Sequence, residues 1–240
     1  MQTREPTGNA TFDSVWPIAE PVKGWLTREQ ARLLWDEAVA LRGHPTIVEI
    51  GSHHGRSTLI LAKALAGRGQ VIAIDPFVEG RLFGGSATRG HFEANLARAG
   101  VSGDVDLVMD YSTRVRPKWH RSVDYLYIDG KHDYWTLADD LRWADHLPDG
   151  SPVLVHDCFS SIGVTLGVLA HVLPSRRLRY ERRTGSLALF RIAAPSRADR
   201  LRILREIPWW MRNVGIKVLL RLRLRGLAQA VGHDSPYDPY

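Results

Sequence analysis

Thr46-Ile-Val-Glu-Ile-Gly-Ser-His-His-Gly-Arg-Ser-Thr-Leu-Ile-Leu61 is the stretch whose reading decides the fold. Ile47 to Ile50 is a short, largely β-branched run of the length of a buried strand. Gly51 and Gly55 break it, and a helical pattern resumes at Arg56. Strand, glycine turn and helix start together make a ligand-binding corner. Glycine lets the backbone approach a ligand closely, and a helix start offers unpaired N–H groups.

Working outward, further strand-like runs lie at 71–75, 105–109, 123–128, 152–155, 178–182 and 186–192. Helical patterns lie between them at 56–66, 91–99, 134–146 and 162–173. Another helix precedes them over 27–41, opened by a capping box from Thr27 to Gln30. Strands alternating with helices predict an α/β, Rossmann-like fold: a seven-stranded, mostly parallel sheet with helices on both faces. Thr184-Gly185 joins the last two strands as a hairpin and adds one antiparallel strand. The organisation expected is an irregular lead-in at 1–26, one domain at 27–195, a basic helical segment at 196–231 and a disordered tail at 232–240. Residues 79–90 read as a loose Gly-rich segment.

Polar residues recur where strands end: Glu49 and Gly51, Asp75, Asp110 and Ser112, Asp129 and His132, His156 and Asp157. In an open α/β sheet that edge binds ligands. A single acid there is often only a helix cap, but five strand ends in a row exceed what capping explains. The loop is Gly51-x-x-x-Gly55 and lacks the middle glycine that lets a pyrophosphate touch the backbone in dinucleotide enzymes. A nicotinamide oxidoreductase is therefore disfavoured. Asp75 stands 24 residues beyond Gly51, where an acid takes the ribose hydroxyls of an adenosine. Adenosine without a phosphate cradle points to S-adenosylmethionine.

Val48-Glu-Ile-Gly-Ser-x-x-Gly-x-Ser57 resembles motif I of class I S-adenosylmethionine-dependent methyltransferases, and Ile72-Ala-Ile-Asp75 resembles motif II. Asp124-Tyr-Leu-Tyr-Ile-Asp129-Gly-x-His132-x-Tyr134, Asp139-Asp140-Leu141, Leu147-Pro-x-Gly150 and Val155-His156-Asp157 are similar to one branch of these enzymes. That branch holds macrolide-sugar and rhamnosyl O-methyltransferases and cephalosporin hydroxylase-like proteins. The resemblance covers about residues 27–192. It implies that Glu49, Gly51, Ser52, Gly55 and Ser57 line the methionine part of the cofactor and that Asp75 holds its ribose. Asp110 and Ser112 would flank the adenine, and Asp129 would border the cofactor. It also implies a Mg²⁺ site at Asp129 and the end of the fifth strand, where the pair is His156-Asp157 or Asp157-Cys158. Asp129 and Asp157 are the carboxylate ligands of this reading and His156 the third. Imidazole and thiol are poorer Mg²⁺ ligands than oxygen.

His132 takes the place of a general base in the sugar enzymes, with Lys131 as the alternative. The chemistry asks for one, because a sugar hydroxyl is a weak nucleophile at neutral pH. A histidine titrates near ~6.5, whereas a free lysine stays protonated. At most one of His53 and His54 is read as touching substrate. The expectation is an O-methyltransferase of a sugar hydroxyl in a glycan, glycolipid or glycosylated natural product. The alternatives are a small phenolic or polyketide hydroxyl, or a non-catalytic membrane-recruited module of the same fold.

Composition narrows the partners. The chain has 240 residues, 44% hydrophobic and 24% charged, with one cysteine, Cys158, so no internal disulfide forms. The N-terminal residues lack the apolar core of a signal peptide, and a cytoplasmic location is expected, with inner-face membrane association as the variant. The net charge of +6 is uneven. Residues 1–195 carry 23 Lys/Arg against 22 Asp/Glu, and residues 196–240 carry 9 against 4. A balanced core with no nucleic-acid motif argues against nucleic acid. Residues 197–230 mix arginines with Leu, Ile and Trp209-Trp210. They read as a lid or homo-oligomer contact, with a peripheral anionic membrane surface as the alternative. Leu220 to Arg225 alternates and fits a strand as well as a helix.

Overall fold

The computed structural model describes residues 10–79 and 85–233. Residues 1–9 of the expected lead-in, 80–84 of the Gly-rich segment and 234–240 of the expected tail lie outside the described residues. Seven strands form one sheet: β1 (Thr46–Ile50), β2 (Gln70–Ile74), β3 (Val105–Val108), β4 (Tyr125–Ile128), β5 (Pro152–Val155), β6 (Leu178–Thr184) and β7 (Leu187–Ile192). Their order is β3-β2-β1-β4-β5-β7-β6. The first five pair in parallel, with Ile47–Ile50 between Val71–Ile74 and Tyr125–Ile128. β7 runs antiparallel to both of its neighbours, with Val153 opposite Phe190. The predicted seven-stranded mixed sheet is what forms. The order reverses between β1 and β4, the place where such sheets bind ligands.

Helices cover both faces. On one lie α1 (Phe12–Ala19), α2 (Arg28–Val39), α3 (Arg56–Leu65) and α4 (Gly85–Ala99). Phe12, Leu34, Leu61 and Phe92 pack there on Ile47, Val71, Tyr125 and Leu154. A short α5 (Ser112–Val115) follows β3. The other face carries α6 (Tyr134–Asp140), α7 (Ile162–Gly167) and α8 (Arg197–Arg205). Leu137, Trp143, Val164 and Ile203 pack there on Val48, Leu126, Val153 and Phe190. α6 tightens into a 3₁₀ turn over Leu141–His146, and α7 runs on as a π-helical turn over Val168–Val172. The near-continuous apolar strands β1, β2, β4 and β5 are thus buried on both sides, as central strands of a parallel sheet require.

Two elements depart from expectation. Residues 12–19 of the supposedly irregular lead-in are helix α1, capped by a reciprocal Thr11–Ser14 box. Pro17 inside it costs about 3 kcal/mol. Burial of Phe12, Val15 and Trp16 contributes about 1.5–3 kcal/mol each and outweighs it. α4 begins at Gly85, six residues before the expected start at residue 91. Its first turn is held from outside, the Ser86 N–H donating to Glu79 Oε1 at 2.8 Å.

After α8 come α9 (Ile207–Arg221) and α10 (Arg225–Ala230). Pro208 separates α8 from α9, sitting in the first turn of α9 where its missing N–H is not needed. Leu220 to Arg225 is a helix end and turn, so its strand-like alternation is not realised.

Candidate active site

The ends of β1, β2, β4 and β5 supply the site. Glu49 is completely buried, where Ser57 Oγ donates to Oε1 at 2.5 Å and the Thr58 hydroxyl donates to Oε2. Burial pushes its carboxyl up to about 7, against the pull of these hydroxyls. Gly51 follows with φ +87°, and a Cβ there would lie 2.3 Å from the Asp129 carbonyl oxygen. The cofactor loop is therefore pressed directly against the end of β4. Gly55 (φ +84°) caps α3, and a Cβ there would meet the Phe92 ring at 3.0 Å. The two glycines singled out from sequence are needed for these two close approaches.

Asp75 holds the loop. Its Oδ2 accepts from the N–H groups of buried Ser52 (3.0 Å) and of His53 (2.9 Å), and its Oδ1 accepts from the Phe77 N–H at 2.8 Å. A carboxylate offers about four acceptor positions, so one remains for a ribose hydroxyl. This loop-locking role was not foreseen. Asp110 accepts from the Tyr111 N–H at 2.8 Å and lies 3.6 Å from Arg114. Buried Ser112 donates to Asp140 Oδ1, and burial pushes the Asp140 carboxyl up to about 7. Oδ2 of Asp140 is buried with no hydrogen-bond partner. Trp25, His53, His54 and His91 form a row of rings with separations of 5.4, 4.2 and 5.0 Å, the first two pairs tilted and His54 stacked on His91. Burial, together with the neighbouring imidazoles, pushes His54 down to about 4.

The chemistry gathers at β4 and β5. Tyr127 Oη donates to Asp129 Oδ2 at 2.9 Å. Asp129 Oδ1 faces two imidazoles, Nδ1 of His156 at 3.2 Å and Nε2 of His132 at 3.5 Å. The Asp129, His132 and His156 ligand atoms lie within 4.8 Å of one another, a cluster able to hold a metal ion. Asp157 pairs with His132, and its Oδ1 also lies 3.6 Å from His156 Nδ1, at the edge of this cluster. Its Oδ2 is 2.7 Å from His132 Nδ1, and Oδ1 accepts from Ser160 Oγ at 3.3 Å. Asp157 has φ +57°, a left-handed conformation that, after glycine, Asn and Asp tolerate best. That turn sends the next residue, Cys158, into the core, where burial raises its thiol pKa well above normal. Cys158 thus points away from the cluster, and of the fifth-strand residues His156 is the one in it.

Burial opposes the charged form of all three groups around Asp129, and mutual pairing outweighs it. His156 and His132 hold the Asp129 carboxyl well below the usual range. Hydrogen bonds to Asp129 and Asp157 push His132 up to about 10, and Asp129 also raises His156. A residue absent from the sequence reading of the site completes it. Gln30, one turn into α2, lies with Oε1 3.4 Å from His156 Nε2. The same Gln30 oxygen accepts from the Thr27 N–H at 2.9 Å, and its Nε2 donates to Ser186 Oγ at 3.1 Å. An acceptor at Nε2 makes that nitrogen the donor and leaves Nδ1 facing Asp129. Finally, buried Asn213 of α9 donates from Nδ2 to the Phe159 carbonyl at 3.1 Å, bracing the loop after Asp157.

Residues 48–158 match the protein-family model described as a methyltransferase domain. Three solved structures share the fold. Cofactor-bound Rv0187 from MTB is 17% identical, with a TM-score of 0.59 over 76% of this chain and 89% of its own. The O-methyltransferase from Bacillus cereus in complex with SAH is 15% identical, with a TM-score of 0.56 over 75% and 90%. The O-methyltransferase TomG from Streptomyces achromogenes, involved in tomaymycin synthesis and in complex with SAM, is 18% identical, with a TM-score of 0.55 over 79% and 92%. Residues 48–158 are thus similar to a methyltransferase domain, and the sheet has the fold of these three structures.

Proposed function

We propose that this chain is an S-adenosylmethionine-dependent O-methyltransferase that methylates a sugar hydroxyl, with His132 as the proton acceptor. The observation that carries the reading is the His132–Asp157 pair at 2.7 Å, which holds Nδ1 and turns Nε2 toward Asp129, 3.5 Å away. That is how a general base is oriented by a carboxylate. S-adenosylmethionine is supported by the Gly51–Gly55 loop and by the SAH and SAM complexes of two structures of the same fold. The sugar acceptor rests on the resemblance of the Asp129-Gly-x-His132-x-Tyr134 block to the sugar-modifying branch.

The donors fit a divalent cation. His156 Nδ1 is buried without a hydrogen bond, 3.2 Å from Asp129 Oδ1, so both are available to one ion. A set containing imidazole suits Mn²⁺, Fe²⁺ or Zn²⁺ better than Mg²⁺, which favours oxygen alone. Bound by Asp129 and His156, such an ion would act as a Lewis acid on the acceptor hydroxyl and offset the charge of Asp129.

The residues of the chain do the rest. Nε2 of His132 is the atom that accepts the hydroxyl proton, and Asp157 on Nδ1 holds the imidazolium that forms. The acceptor oxygen forms its bond to the methyl carbon as the carbon–sulfur bond breaks, and a neutral thioether leaves. Much of the acceleration is alignment of oxygen, carbon and sulfur. The test is methyl transfer from S-adenosylmethionine to a panel of glycosides and phenols, read by mass spectrometry. Transfer to glycosides that is lost in His132→Gln supports the reading. Full turnover by His132→Gln, or turnover of phenols alone, overturns it.

A further inference from the structure

Helix α9 carries two apolar stripes. Trp209, Asn213, Ile216 and Leu220, spaced four, three and four residues apart, form the inward stripe, with Asn213 and Ile216 fully buried. Met211, Gly215, Val218 and Leu222 form a second with the same spacing, and its three large side chains are 51–63% exposed. A helix that is apolar on both sides has normally buried both. The outward stripe does not stand alone, because Leu204 of α8 and Leu224, Leu227 and Val231 around α10 are also exposed. Of the seventeen large apolar residues exposed among the described residues, eight lie between 201 and 231.

Charge accompanies them. Ile207–His233 holds five Lys/Arg and no Asp/Glu. Arg212 is engaged, donating to the Val231 and Gly232 carbonyls and fastening the end of α10 to α9. The side chains of Arg221, Arg223 and Arg225 are exposed, and none has an ion-pair partner among the described residues. The tryptophans are not part of this face. Trp209 and Trp210 pack against the core, with the Arg183 guanidinium 3.7 Å above the Trp209 ring.

We propose that α9 and α10 form a docking face for an anionic lipid bilayer, with Met211, Val218 and Leu222 entering the interface and Arg221, Arg223 and Arg225 meeting lipid phosphates. Among the described residues the apolar stripe is uncovered and the cationic rim unopposed, and this pairing is what such a surface complements. A second copy of the chain would set the same cations against each other across a symmetric contact. No helix among the described residues is long and apolar enough to cross a membrane, so the attachment is peripheral. The face is independent of the methyl-transfer reading, and the two fail separately.

The test is co-sedimentation of the full chain with phosphatidylcholine vesicles, with and without phosphatidylglycerol. Binding should require phosphatidylglycerol and fall as salt rises. Arg221→Ala and Arg223→Ala should each weaken partitioning about fivefold. Met211→Asp with Val218→Asp should abolish it at an unchanged melting temperature, since both side chains are solvent-facing. Equal pelleting with both vesicle types, or none with either, overturns the proposal. So does full competition by inorganic phosphate, which marks a free-anion site. A dimer in sedimentation equilibrium that Met211→Asp dissociates, without vesicle binding, also overturns it and assigns the face to a second copy.

Discussion

Replacing Gly51 by alanine tests whether the cofactor loop is pressed on the end of β4. The new methyl would lie 2.3 Å from the Asp129 carbonyl oxygen and 2.8 Å from Gly130 Cα, both backbone atoms. Contact needs more than 3 Å, so the loop or the strand end must retreat by about 1 Å, a displacement of the kind that costs ~1–3 kcal/mol in a packed interior. The left-handed φ of +87° adds about 1–2 kcal/mol for any residue with a Cβ. The expected loss is thus about 2–5 kcal/mol, or roughly 4–20 °C in melting temperature for a chain of this size. Gly43 supplies the control. It has φ +69°, and nothing lies within 4 Å of where its Cβ would go. Gly43→Ala should cost the conformational part alone, about 1–2 kcal/mol. Thermal and urea unfolding of both variants, run beside wild type, measures the difference. Because Asp129 itself must move, Gly51→Ala should also lose methyl transfer while Gly43→Ala retains it. Equal shifts in the two variants would refute the close approach.

Three further outcomes follow from the same geometry. His132→Gln and Asp157→Asn should lower turnover roughly 100- to 10,000-fold, as for loss or misorientation of a general base, with S-adenosylhomocysteine affinity by calorimetry unchanged. Divalent cation binding should release a proton, because His132 is held protonated up to about 10 in the cation-free protein. Affinity should therefore rise by up to about tenfold per pH unit below that value, and Mn²⁺ should bind more tightly than Mg²⁺; calorimetry in buffers of different ionisation enthalpy reads both. Glu49 is a buried acid raised from 4.5 to about 7, so the folded state binds its proton more tightly. Its stabilising effect is complete below pH 4.5 and is lost as pH rises through about 7, a difference of about 3 kcal/mol that Glu49→Gln should remove from the unfolding profile of the ligand-free chain.

The centre of the sheet was legible because β1, β2, β4 and β5 are buried on both faces, and Ile47–Ile50 or Pro152–Val155 leave few alternatives to a strand. Helix α2 was legible through Thr27 and Gln30, whose capping is purely local. Helix α1 was not, since Pro17 and the polar surroundings mask a pattern whose worth comes from tertiary burial of Phe12 and Trp16. The start of α4 was hidden likewise, because its first amide bonds Glu79, seven residues away and outside the helix. At the site, Asp129, His132, His156 and Asp157 were found by their places at strand ends. What each one touches was not. The pairing of Asp157 with His132 depends on a left-handed turn at Asp157, which no local signal announces. Gln30 reaches His156 across 126 residues of sequence, and in the sequence it served only as half of a capping box. Its exclusion of solvent marks it out, since a glutamine with no exposure at all must satisfy several polar partners.

The hydrogen bond from Asn213 to Phe159 and the placing of β7 beside β5 have a consequence for synthesis. While the chain emerges from the ribosome, β1 to β4 can assemble as each becomes available, but β5 waits with an open edge until residues 187–192 arrive to pair with it. The loop carrying His156 and Asp157 gains its last brace only when Asn213 has emerged. This edge of the sheet is thus finished late, and a nascent or truncated chain presents an unpaired strand there. Such edges recruit other chains. A stop before residue 187 is expected to leave an aggregating fragment rather than a smaller enzyme.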